Sequence, residues 1–106
     1  MTASRSDRRS TRRISYPCEA RCYAGGERLL DAHLTDLSES GAFIQTGIRL
    51  PLGSVVLLGF KARGRRVKVE AEVIHHNPEY GLGVRFLWLE RRRRKMIEQV
   101  IGAPAG

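Results

Sequence analysis

Two stretches of this chain carry residue types suited to chemistry. The first is Arg8-Arg9-Ser10-Thr11-Arg12-Arg13, close to the start. A guanidinium is planar and always charged. It forks onto a phosphate or onto the O6/N7 edge of guanine, and it stacks on a base. The second is Asp36-Leu37-Ser38-Glu39-Ser40-Gly41, between apolar runs that end at Thr35 and begin at Ala42. This pattern reads as a tight polar turn joining two strands. Asp and Ser side chains bond nearby backbone groups, and Gly takes positive φ without steric cost. An ionised Asp is also an acceptor for base N–H groups.

Other chemistries find little support. His33, His75 and His76 are scattered, and the adjacent pair His75 and His76 point to opposite faces of a strand. No Cys-x-x-Cys or His-x-Glu pattern suggests zinc. Neither a Gly-x-Ser-x-Gly elbow nor a phosphate-binding glycine loop occurs. We therefore expect no enzyme, no metal and no cofactor. Cys18 and Cys22 lie four apart in a strand-like stretch, about 13 Å between Cα atoms. That is beyond disulfide reach, so they read as core thiols.

With 106 residues the chain makes one domain. No apolar run approaches a spanning helix, and the polar start is not a secretory signal, so a cytoplasmic protein is the default. A net charge of +8 favours anionic partners. An RNA-binding barrel is the rival functional reading, but such surfaces display aromatics for stacking. Several of the seven aromatics here fall on the inward phase, so nucleic acid is not the expected partner.

The elements that would position the candidate residues follow from periodicity. Tyr16, Cys18, Ala20 and Cys22 alternate with Glu19, Arg21 and Tyr23 in a first strand. Ala24 to Glu27 turns the chain, and Arg28 to Thr35 forms a second strand. Ala42 to Thr46, Ser54 to Ala62, Arg66 to Asn77 and Tyr80 to Phe86 complete six, with a bulge or tight curvature at the two glycines of the last. A small six-stranded antiparallel barrel removes exposed edges. Trp88 to Ile101 switches to helical spacing, with Leu89, Met96, Ile97, Val100 and Ile101 in one stripe and a basic block at Arg91 to Lys95. This helix should pack across one open end of the barrel.

Taken in order, Arg-x-x-x-Arg, Asp36-x-Ser38-x-x-Gly41 and Tyr80-Gly81-Leu82-Gly83-Val84-Arg85-Phe86 resemble the PilZ domain, a bacterial receptor for the second messenger cyclic di-GMP. The resemblance spans about Arg8 to Ile101. It implies an arm over 1–13, a barrel plus C-terminal α-helix over 14–101, and a tail over 102–106. It implies a ligand held by Arg9 and Arg13 together with Asp36, Ser38 and Gly41. The spacer Ser10-Thr11-Arg12 is more polar than is usual in the family, and Arg8/Arg12 is a competing register. A basic Arg8 directly before the pair implies a stacked, intercalated ligand dimer rather than one molecule. An effector protein that reads the ligand-bound state is the implied partner. A PilZ-like interaction module without ligand is the remaining alternative.

Overall fold

The computed structural model describes residues 13–29, 32–77 and 81–102. The expected all-β class is present: one curled antiparallel sheet with a single helix among the described residues. The strands are β1 (Arg13–Glu19), β2 (Arg21–Ala24), β3 (Glu27–Leu29), β4 (His33–Ser38), β5 (Gly41–Gln45), β6 (Val55–Ala62), β7 (Arg65–Asn77) and β8 (Gly81–Phe86). Their order across the sheet is β1-β4-β5-β8-β7-β6-β2-β3.

Eight segments replace the six expected strands for a definable reason. The first expected strand is interrupted at Ala20. Its front half, β1, pairs with β4 at one end of the sheet, while its back half, β2, pairs with β6 near the other. One length of chain thus ties the two ends of the curled sheet together. The second expected strand is likewise divided into β3 and β4. The hairpins between them are as the glycines require. Gly25 and Gly26 both have positive φ, as do Arg63 and Gly64, the backbone of a two-residue turn that matches strand twist.

Alternation sets the core. Val67, Val69, Ala71 and Val73 on β7 are buried, as are Val56, Leu58, Phe60 and Ala62 on β6. They join Leu34, Leu37, Ile44, Leu82 and Val84 in one apolar cluster. The thiols of Cys18 and Cys22 are free, and Cys22 is fully buried.

The helix α1 (Arg91–Gly102) starts three residues later than its periodicity suggests. The Leu87 amide bonds the Glu70 carbonyl, holding the chain against β7, and the Arg94 amide bonds the Glu90 carbonyl to open the helix. Trp88 is therefore outside the helix and 80% exposed. Ile97 and Ile101 are buried, with Leu89, Met96 and Val100 packed beside them. The helix touches β4 and β6, strands separated by three others in the ladder. It accordingly bridges the open side of the curled sheet. Among the described residues no helix is long and apolar enough to cross a membrane.

A candidate ligand groove on the outer face of the sheet

Asp36 lies within β4, not in the loop that its sequence context suggests; only Glu39 and Ser40 form the turn between β4 and β5. A bulge accounts for its direction. Leu34 pairs with Ile44 and Asp36 with Phe43, so Thr35 is an extra residue on β4. Leu34 and Leu37 both remain buried, and Thr35 and Asp36 are both half-buried between them. Without the bulge, strict alternation from buried Leu34 would turn Asp36 inward and Leu37 outward. The opposite strand β1 has its own irregularity between Ser15 and Cys18, at Tyr16 and Pro17. Pro17 has no N–H to lose there.

A second bulge faces the first. On β7, Val73 pairs with Val84 and His75 with Gly83, leaving Ile74 as the extra residue. Ile74 and His75 are both exposed while Val73 is buried. Between the bulges runs a row across four strands: Asp36 on β4, Phe43 on β5, Gly83 on β8 and His75 on β7. Gly83 is the floor of this row. A Cβ built there would meet the His75 Cβ at 3.2 Å and Phe43 Cδ1 at 3.8 Å. The result is a groove of about 540 Å³, with Arg13 and Asp36 at one end and His75 and Asn77 at the other. That volume falls in the range of small-molecule sites.

Arg13 and Asp36 are diagonal neighbours, because Arg13 pairs with Ser38 and Ser15 with Asp36. Among the described residues neither is in an ion pair. One cation and one carboxylate thus face the same hollow, and among the described residues neither side chain has a hydrogen-bond partner. Phe43 adds an aromatic wall, and Gln45 and Asn77 add amides.

Of the residues singled out from sequence, Arg13 and Asp36 meet at the groove. Ser38 and Gly41 stand just below it, where they shape the turn. The Ser38 Oγ accepts bonds from the Gly41 amide at 3.1 Å and the Ser40 amide at 3.3 Å, and donates to the Gly41 carbonyl at 3.2 Å. Ser38 is buried. Gly41 is required by close approach and not by positive φ. A Cβ there would lie 2.1 Å from the Val84 carbonyl oxygen on β8. Arg8, Arg9 and Arg12 lie outside the described residues.

Phe43, Gln45, His75 and Asn77 were not picked out from the sequence. Reading β5 and β7 as regular strands gives no reason to align them with Asp36, since the alignment depends on two bulges. The Gly-x-Gly of β8 was the available signal: a mid-strand glycine without a side chain leaves a hollow between its neighbours. His76, beside His75, points away and bonds the Leu50 carbonyl.

The comparisons agree with this architecture. The family model for the PilZ domain matches residues 7–103. No curated protein matches the chain. Among solved structures, the chain is similar to the PilZ domain of CeSA from a cellulose-synthesizing bacterium. The TM-score is 0.66 at 13% identity, over 91% of this chain and all of the other. At that identity the likeness concerns the fold. The family match covers nearly the whole sequence, and so the chain belongs to the PilZ domain family, a known family of cyclic di-GMP receptors.

Proposed function

We propose that this protein is a cyclic di-GMP receptor whose ligand sits in the groove between the two bulges, and that it relays the bound state to a partner protein. The observation that carries the reading is the juxtaposition of Arg13, Asp36 and Phe43 around a hollow of about 540 Å³. Cyclic di-GMP presents phosphates, guanine edges and flat purine faces. Arg13 supplies a fork for phosphate or for guanine O6/N7. Asp36 accepts from the guanine N1 and N2 protons, which would be charge-assisted bonds. Phe43 offers a face for stacking.

Arg9 completes the pair with Arg13, and Arg8 lies beside it, so residues preceding β1 close over the ligand from the strand end. In this reading Ser38 and Gly41 act by holding Asp36 and the start of β5 in place. Arg8 supports a ligand dimer, which corresponds to two molecules per chain. The newly formed surface, arm plus ligand, is what the partner reads. PilZ domains are ligand-binding regulatory modules, and the role proposed for the groove is binding.

Chemical-shift mapping tests the placement. Adding cyclic di-GMP to isotope-labelled protein should shift the amides of Asp36, Phe43, Gly83 and His75, and an Asp36→Ala variant should lose those shifts. Shifts confined to the opposite wall, around Gly59, or none at all, would overturn the reading.

A further inference from the structure

The opposite wall of the curled sheet holds a second feature. Gly59 on β6 pairs with Arg21 on β2 and with Lys68 on β7. Phe60 and Leu58 beside it are buried, so Gly59 faces outward. Two contiguous hollows of about 230 and 270 Å³ share Arg21, Gly59 and Arg66. Lys61 adds a fourth cation at one end. Among the described residues none of these four cations is in an ion pair. The acidic neighbours among the described residues are Glu19 in the hollow, Glu70, which pairs with Leu57, and Glu72, which pairs with Val55 and is held by Arg85. The cations exceed them.

Gly59 has no backbone reason to be glycine. Its φ is not positive, and an added Cβ would meet its nearest neighbour, the Val67 carbonyl oxygen, at an ordinary 3.7 Å. A glycine in a strand interior weakens the strand. What the missing side chain provides is an open trough between Arg21 and Lys68. The trough continues into an apolar strip on the same outward face of β6, where Leu57 is 37% and Val55 50% exposed, beside Tyr23 on β2.

We infer that this face docks an extended segment of a partner protein that carries acidic and aliphatic side chains. Carboxylates would lie over Arg21 and Lys68, and aliphatic groups over Leu57 and Val55. A mixed apolar and arginine-bearing patch is protein-interface chemistry. Single-stranded nucleic acid fits less well, because aliphatic Val55 and Leu57 offer no stacking face and, of the aromatics lining the hollows among the described residues, Phe60 is buried and only Tyr23 is accessible. The site is separate from the ligand groove: Lys68 and His75, at the two sites, are seven residues apart along β7, about 23 Å. The inference goes beyond the relay reading: the segment docked here is not what reads the ligand-bound arm, and docking needs no bound nucleotide.

The test uses the full chain and a short fluorescent peptide alternating Glu and Leu, read by anisotropy at physiological salt. An Arg21→Glu/Lys68→Glu variant removes the charge match, and Gly59→Leu fills the trough. Saturable binding to the wild type, weakened about tenfold or more in both variants, is expected. Gly59→Leu should melt no lower than wild type, since an added Cβ meets only ordinary contacts and the position faces outward. Titrating the same preparations with cyclic di-GMP reports separately on the groove, and both variants should retain whatever affinity the wild type shows. Absence of peptide binding, or equal binding to all three proteins, overturns the docking surface whatever the nucleotide does. Preferential binding of oligouridylate that the same variants abolish overturns it in favour of nucleic acid.

Discussion

At the scale of single residues, the clearest contrast is between Asp36 and Ser38. Both belong to one short motif, yet Asp36 faces the groove while the Ser38 hydroxyl is occupied by the turn. Replacing Ser38 with Ala leaves buried turn groups unpaired and should cost about 1–3 kcal/mol of stability, measurable by urea denaturation. Gly41→Ala should be worse. Its Cβ would drive into the Val84 carbonyl, so the β5–β8 ladder has to open; a loss of about 3 kcal/mol or an unfolded product is expected. The turn role of Ser38 was legible as one of two readings, because a serine that closes a turn and a serine that binds a ligand have the same spacing; the close approach that demands Gly41 was not. The thiols make a pH prediction. Burial pushes Cys22 up to about 11 from an ordinary thiol value near 9.0. The fold therefore favours the protonated thiol, and this contribution is complete below about pH 9 and lost as pH rises towards 11. Denaturation midpoints should fall over that window, and Cys22→Ala should lose part of the decline.

At the scale of elements, alternation exposed most strands because the sheet has one buried face. The inward set on β7, Val67 through Val73, was legible for that reason. Bulges were legible only in part. The glycines of β8 signalled one, but its extra residue is Ile74 on β7 opposite Gly83. The extra Thr35 on β4 left no signal, since a bulge changes which residue opposes which without altering composition. They nevertheless decide which residues face the groove. The break at Ala20 was hidden too: the residues on either side keep the same alternation while changing partners from β4 to β6. The helix stripe was visible, but its start was not, because Trp88 and Leu89 fit the pattern and only the Glu90 carbonyl bond fixes the first turn. That first turn carries arginines and no acid, the wrong charge for the positive end of a helix dipole. One Glu90–Arg93 ion pair offsets it in part. Arg91→Glu should raise stability by about 0.3–1 kcal/mol at low salt, with the gain shrinking as salt is added. A thermal unfolding series in rising sodium chloride checks both statements.

At the scale of the whole molecule, the curled sheet presents two outward-facing hollows on different walls. One is built around Gly83 between two bulges, the other around Gly59 between two cations. A mid-strand glycine marks the floor of each, and the helix lies on neither floor. The net charge of +8 makes anionic partners favourable at both, so binding at either should weaken with ionic strength. The central claim is that the groove holds cyclic di-GMP between Asp36 and Arg13, with Arg9 as the second arginine of the pair. Calorimetric titration with cyclic di-GMP at physiological salt tests it most directly, run on the wild type beside an Arg9→Ala/Arg13→Ala variant. Saturable heat in the wild type, with two ligands per chain and none in the variant, is the expected result. No heat in the wild type, or equal binding by the variant, would contradict it.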